Sequence, residues 1–307
     1  MKIPACKQLS CLILLVLCCT LVTAPAGAQV SGTVKDDASG EALPYANIQV
    51  LDREGGTSAD EQGRFTLTVA DSAATLVISA TGYQPLYIRA GDGNRFRLHK
   101  APVQLQEVTV RSSRKGLVQK IGMFKKSDIR HHFAAHRTPW VLARYFPYAD
   151  SYSRTPFLKS VMLATYSDVK DGVFNLRLYR MGKDGQPGAY LYGDPIIGHA
   201  KKGKRNTVVD LSALQIPFPE EGIFIGVEFM LTAQNAYTIS VAEEGKKTVK
   251  TVTYAPRIGA LLADTDNGML TFTRGEWEKK LRNNDPYAPP AFRDKYSILA
   301  VELTLAD

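Results

Sequence analysis

Beyond residue 19 the chain has no cysteine. Its four cysteines, Cys6, Cys11, Cys18 and Cys19, all lie near the start. The remainder can form no disulfide, thiolate metal site or cysteine nucleophile. A second long apolar run is also missing. No stretch of about eighteen apolar residues follows Val22, so nothing downstream is expected to span a bilayer as a helix. The Gly-x-Ser-x-Gly elbow, the phosphate loop and the dinucleotide fingerprint do not occur, and neither does an internal repeat. Tryptophan is scarce, with Trp140 and Trp277 the only two.

What stands at the start explains where the cysteines went. Lys2 and Lys7 are followed by the apolar run Leu12–Val22 and by the small-residue site Ala26-Gly27-Ala28. That order reads as a secretory signal peptide over residues 1–28, with a run too short for a comfortable membrane span. A retained anchor helix is the alternative. Lipidation at Cys18 or Cys19 is another, and Leu17 directly before Cys18 fits it poorly. The expectation is an exported protein, periplasmic or associated with the outer membrane. Its core must rest on apolar packing, which a chain of 307 residues and 45% apolar content can supply for one large or two ordinary domains. Removing residues 1–28 takes away two lysines and no acid, so the formal charge falls from +8 to +6. The basic residues gather at Arg111–Lys115, Lys125–Arg130 and Lys201–Arg205. An exported chain meets little nucleic acid, so that lean points to anionic surfaces or glycans.

Residues 30–110 read as short strands between turn clusters. Arg64-Phe65-Thr66-Leu67-Thr68-Val69 alternates strictly, as do Tyr45–Val50 and Val30–Val34. Asp36–Gly40, Glu54–Gly56 and Asp60–Gly63 are turns, with Gly63 placed where a positive φ is often needed. Strands of this length and spacing indicate a small all-β sandwich. The joint pattern Gly32-x-Val34-x-Asp36, Gly40-x-x-Leu43-Pro44-x-Ala46-x-Ile48-x-Val50, Thr57-x-x-Asp60-x-x-Gly63-x-Phe65-x-Leu67-x-Val69 and Leu76-x-Ile78-Ser79-x-x-Gly82-Tyr83 resembles the carboxypeptidase-regulatory-like domain. That resemblance implies a transthyretin-like, non-catalytic sandwich over residues 29–111. Such domains often precede TonB-dependent outer-membrane receptors, and Leu105–Arg111 resembles the segment that leads into a receptor plug. Too little chain follows for a plug and a large barrel. The resemblance therefore implies an envelope accessory module and does not imply transport.

Residues 112–155 read as a basic linker and lead-in, with Lys125–Phe146 open to a short helix or an aromatic strand. Residues 156–307 carry roughly eight or nine strand candidates, among them Phe157–Tyr166 and Val173–Met181, with Gly, Pro and Asp turns. They resemble jelly-roll or galactose-binding-like envelope domains. The expected fold is all-β: two β-sandwich domains, transthyretin-like and then jelly-roll-like.

Chemistry is thinly signalled. His132 and His136 would share a face on a helix, as paired metal ligands do, but no Glu follows in the metalloprotease position. His99 and His199 have no evident partner. Glu220, Glu221, Glu228, Asp264, Asp266 and Glu276 are the acids a glycoside hydrolase could use. Asp264-x-Asp266-Asn267-Gly268 has alternate oxygen ligands like a calcium loop, yet Asn-Gly is itself a strong hairpin turn. Loop aromatics are the better clue, since they can stack on sugar rings. Trp140, Tyr145, Tyr192 and Trp277 are the candidate ligand-binding residues, with core packing as the competing role. The reading is a non-catalytic envelope protein with no cofactor and no metal, engaging a glycan or an envelope protein. A carbohydrate-active hydrolase and an adaptor for a TonB-dependent transporter are the rivals.

Overall fold

The computed structural model describes residues 28–51, 55–101, 116–241, 249–273 and 276–307. The expected signal peptide up to residue 27, with Cys18 and Cys19, lies outside the described residues. So do the strand expected at Val108–Val110, the plug-linker-like segment and the basic cluster Arg111–Lys115. The protein is all-β. Its strands form three sheets, and no α-helix occurs among the described residues.

The front module contains β1 (Ala28–Asp36), β2 (Asn47–Val50), β3 (Gly56–Ser58), β4 (Arg64–Val69), β5 (Thr75–Ser79), β6 (Leu86–Arg89) and β7 (Arg95–Leu98). One sheet has the order β4-β1-β7 and the other β3-β2-β5-β6. Alternation sets the packing: in β4, Phe65, Leu67 and Val69 are buried while Arg64, Thr66 and Thr68 face out. Those residues join Val34, Ile48, Leu76, Ile78 and Phe96 in one core between the two sheets. Gly63 adopts φ +70, and a Cβ there would lie 2.6 Å from the Val34 carbonyl.

The second body contains β8 (Val118–Ile121), β9 (His131–Ala135), β10 (Val141–Phe146), β11 (Phe157–Met181), β12 (Pro187–Tyr190), β13 (Ile196–Asp210), β14 (Ile223–Phe229), β15 (Ala236–Val241), β16 (Val249–Ala263), β17 (Met269–Thr273), β18 (Glu276–Lys279), β19 (Tyr296–Leu299) and β20 (Val301–Ala306). These are joined in a single 13-stranded sheet. Two long strands hold it together. One edge of β11 pairs with β13, and the other pairs in turn with β20, β16 and β14. β16 carries β9 on one edge and β15, β11 and β19 along the other. The main core draws on β9, β10, β11, β14, β16 and β20, with Leu142, Leu163, Phe174, Leu176 and Ile258 at its centre.

Three expectations are corrected here. Phe157–Tyr166 and Val173–Met181 are not separate strands but one strand of 25 residues. Asp168–Gly172 has turn composition, yet the chain stays in the sheet through a register shift between Ser167 and Asp171. Residues 118–146 are not a lead-in: β8 pairs with β20, β9 with β16, and β10 lies between β14 and β17. The helix considered for this stretch is replaced by strands and one turn of 3-10 helix at Lys126–Asp128. An extended chain spreads His132 and His136 by roughly 13 Å, too far to share one ion.

Candidate functional site

The outer face of β10, β11 and β14 meets the front module, and the most enclosed charges among the described residues lie there. Strand pairing fixes the layout. Asn175 lies opposite Glu228 and Arg177 opposite Gly226, while Val141 flanks Glu228 on the other side. Gly226 leaves space beside Arg177, which reaches diagonally to Glu228. Arg177 Nε donates to Glu228 Oε2 at 2.7 Å and Arg177 Nη2 donates to Oε1. Their side chains are 3% and 0% exposed, so neither charge reaches water. Asn175 Nδ2 adds a bond to Glu228 Oε2 at 2.7 Å.

The front module completes the cluster. Asn47 of β2 donates to Glu228 Oε1, and Ser58 of β3 donates to Asn47 Oδ1 at 3.1 Å. Ser58 Oγ then accepts from the Leu231 amide at 2.9 Å, so the relay begins and ends on the second body. Thr81 Oγ1 accepts from Asn175 at 3.0 Å, and Gln49 Nε2 donates to the Pro139 carbonyl at 2.7 Å. Gly82, at φ +79, permits the closest approach: a Cβ there would collide with the Gly193 carbonyl. Every lone pair of the buried carboxylate is directed at a donor, which is the condition for keeping such a charge inside. Burial alone would lower the Arg177 pKa; Glu228, helped by Tyr190 and Tyr179, outweighs it and holds the guanidinium above its ordinary range. Burial raises the Tyr179 phenol well above its usual value, with Tyr190 adding to the rise.

Beyond the junction the same face becomes aromatic. Arg177 Nη1 donates to Tyr190 OH at 2.7 Å, and the Tyr179 and Tyr190 rings lie 4.8 Å apart. Trp277 stands edge-on to Tyr179 at 5.5 Å and tilts against Phe272 at 5.2 Å. Tyr145 tilts against Phe224 at 5.1 Å and donates its hydroxyl to the Glu221 carbonyl at 2.8 Å. A cleft of about 290 Å³ opens here, lined by Tyr145, Met181, Gln186, Leu270 and Lys279.

The four aromatics singled out by sequence are thus divided. Tyr145 and Trp277 meet in this satellite cluster. Trp140 packs on the main core, stacked on Phe229 at 4.9 Å, and lines a separate cleft of about 450 Å³ beside His136, Arg137 and Lys280. Tyr192 also packs against the main core, and burial raises its pKa, with Asp194 adding to the rise. All four are half-buried.

The acids do not converge. Glu228 is the junction carboxylate. Glu221 pairs with Arg180 at 2.6 Å, Asp264 with Lys295, and Asp266 with Lys279 at 2.5 Å. Asp264–Gly268 is the turn between β16 and β17, closed by Asp266 Oδ1 accepting from the Gly268 amide at 3.0 Å. Glu220 and Glu276 are exposed at strand entrances. Among the histidines, His131 bonds Ser297 and His136 bonds Thr253, each at 2.8 Å, while His99 and His199 face Asp37 and Asp171. No three His, Cys, Asp or Glu side chains come together as a metal set among the described residues. No helix among them is long and apolar enough to cross a membrane, which says nothing of strands.

Residues 30–110 match the CarboxypepD_reg-like domain. The front module is therefore a regulatory-like domain, and the match ends before the second body begins. No curated protein matches the chain. Among solved structures, that of the infectious bursal disease virus Gx strain aligns at 10% identity and a TM-score of 0.24, over 90% of this chain and 60% of that one. A subviral particle of the VP2 protein of the same virus aligns at 11% identity and a TM-score of 0.21, over 93% of this chain and 67% of the other. This chain thus spans about 60% of the length of the first of them. A likeness at this level assigns neither fold nor function.

Sequence reasoning considered Glu228 as a hydrolytic acid and passed over Arg177. The signal was present: Glu228 is the one ionisable residue in the apolar strand Ile223–Phe229, and Arg177 stands between Leu176 and Leu178 in Phe174–Tyr179. Charges so placed are buried, and buried charges come in pairs.

Proposed function

We propose that this is an exported, non-catalytic binding protein of the cell envelope. In this reading a regulatory-like domain and a jelly-roll-like body act as one unit that engages an envelope glycan or, alternatively, an envelope protein. The observation that carries the reading is the Arg177–Glu228 junction. Glu228, the most enclosed acid among the described residues, is saturated by Arg177, Asn175 and Asn47, and so serves to hold two modules together. The candidate acids Glu221, Asp264 and Asp266 face arginine or lysine in separate parts of the fold, which suits a rigid scaffold better than a pair of hydrolytic carboxylates about 5–10 Å apart. The cleft lined by Tyr145, Gln186 and Lys279, with half-buried Trp277 in the adjoining aromatic cluster, supports a glycan as the partner, because half-exposed rings beside polar groups suit sugar faces.

The test is a glycan array probed with the purified protein, read together with a reducing-sugar assay. The reading expects retention on a subset of glycans without release of reducing sugar, and weaker retention for Trp277→Ala or Trp140→Ala. Release of reducing sugar that disappears in Glu220→Gln or Glu276→Gln would establish a hydrolase instead.

A further inference from the structure

The two basic clusters at Lys125–Arg130 and Lys201–Arg205 are far apart in sequence, yet they form the walls of one cleft of about 510 Å³. Clefts of roughly 300–1,000 Å³ hold small organic ligands. Four adjacent strands build its floor. β13, β11, β16 and β9 place Asn206, Ala164, Gly259 and His132 in one row across the sheet. Lys204, Tyr166 and Arg257 form the next row on the same face. Small residues keep the floor low: a Cβ on Gly259 would lie 2.7 Å from that of Ala164. Ile129 adds an apolar side wall, beside Lys126 and Arg130.

The charge on this cleft is one-sided. Lys126, Arg130, Lys204 and Arg205 line it together with His132, and no acid is among the lining residues. Asp128 and Asp168, the acids close to these residues in sequence, each have a partner already. Asp128 accepts from the Lys125 amide at 2.8 Å within its own turn, and Asp168 pairs with Arg257 at 2.6 Å. Tyr166 organises the cations. The Arg257 guanidinium lies 4.0 Å from the centre of its ring and the Lys204 ammonium 5.7 Å. The His132 ring stands edge-on to it at 5.7 Å. Arg257 Nε is buried with no hydrogen-bond partner among the described residues. Burial, then Lys204, Arg257 and His131, push the His132 pKa down.

Like charges gathered in a half-enclosed space repel one another, and a bound anion removes that cost. The rest of the lining is suited to a sugar. Asn206 offers an exposed amide to hydroxyls, while Ala164 and Ile129 offer apolar surface to C–H groups. We propose that this cleft binds a saccharide bearing phosphate or carboxylate groups. The proposal rests on the glycan-binding reading above and adds to it a second subsite, for a charged saccharide, on residues separate from the aromatic cleft.

Calorimetric titration of the purified protein tests it, with glucose-6-phosphate, glucuronate, unmodified glucose and inorganic phosphate as probes. The phosphorylated sugar, the carboxylated sugar or both are expected to bind. Glucose should show no heat, and inorganic phosphate should bind at least tenfold more weakly than the best sugar anion. Lys204→Gln with Arg205→Gln removes two exposed charges and should weaken that anion at least tenfold. Arg130→Gln on the opposite wall should do so to a smaller degree. Binding should also weaken as salt is raised from about 0.05 M to about 0.5 M, through screening. No binding of either sugar anion overturns the assignment, and so does binding that the charge variants leave unchanged. Inorganic phosphate binding as tightly as the sugars would overturn the saccharide. Neutral glycans retained on the array without any anion binding would leave the binding-protein reading standing alone. Anion binding followed by cleavage of an acidic oligosaccharide would keep this cleft and overturn the non-catalytic reading.

Discussion

Two concentrations of charge in this protein have opposite surroundings. At the junction, Arg177 and Glu228 are closed off from water and face only each other and the amides and hydroxyls around them. In the basic cleft, Lys126, Arg130, Lys204 and Arg205 are exposed, and no acid joins them in the lining. The difference teaches how a charged residue can be assigned a role. A charge whose bonding capacity is filled from within the chain holds structure together. A charge left facing solvent beside others of its own sign is available to something outside the chain. The comparison also divides the sheet: β11 supplies Arg177 to the closed site and Tyr166 to the open one.

The comparison is broken most forcefully at the junction. Glu228→Ala leaves Arg177 buried and unpaired, and should cost about 3–5 kcal/mol of stability by chemical denaturation. Changing both partners to methionine should recover most of that loss, since a well-packed apolar pair often replaces a buried ion pair at little cost. A loss under about 1 kcal/mol for Glu228→Ala would mean that water reaches the site after all. Next in size is Asn47→Ala, which removes one of the two donors to Glu228 Oε1 and the acceptor of the Ser58 hydroxyl. About 1–3 kcal/mol should be lost in the same assay.

A pH titration sharpens the comparison from the side of the regulatory-like domain. Asp36 accepts from the Ser39 and Ala38 amides at 2.8 and 2.7 Å and from the Tyr83 hydroxyl at 2.7 Å. Those bonds, the Ser39 amide foremost, lower its pKa from 3.8 to about 2. Because the folded-state value is the lower one, this stabilisation is complete above pH 3.8 and is lost as pH falls toward about 2. His131 and His132, held below 6.5 mainly by burial, bind protons more readily when unfolded, so stability should already decline as pH falls below 6.5. Asp36→Asn should flatten the lower limb of the acid-denaturation curve and leave the histidine limb in place. An unchanged lower limb would show that the Asp36 bonds do not persist in solution. The smallest effect belongs to the open cleft: Lys204→Gln with Arg205→Gln should change stability by no more than about 0.5 kcal/mol. A larger loss would place those residues with the structural charges.

The regulatory-like domain was legible because its strands alternate and its turns are marked by residues with specific backbone roles. Arg64–Val69 buries every second side chain, and Gly63 takes the positive φ that its place before the strand suggests. The second body was less legible for a physical reason. Its long strands depend on partners distant in sequence, and non-local pairing overrides local composition. Asp168–Gly172 has turn composition but bridges two halves of β11, and the basic cluster Lys201–Arg205, which carries no strand signal of its own, pairs along β11. His131–Ala135 has no strand signature of its own and is held by β16. In the candidate site, the aromatics stand out by their place in segments that read as loops, and the structure gives them mainly packing partners. The junction was missed because pairing a lone Glu with a lone Arg across 51 positions needs the register of β11 against β14.

The account depends on the two modules being fastened through buried side chains, and a double-mutant cycle between Asn47 and Glu228 measures that directly. With Asn47→Ala, Glu228→Gln and the double variant unfolded by denaturant, the account predicts one cooperative transition and a coupling energy of about 1 kcal/mol or more. Two separate transitions with no coupling between the positions would contradict it.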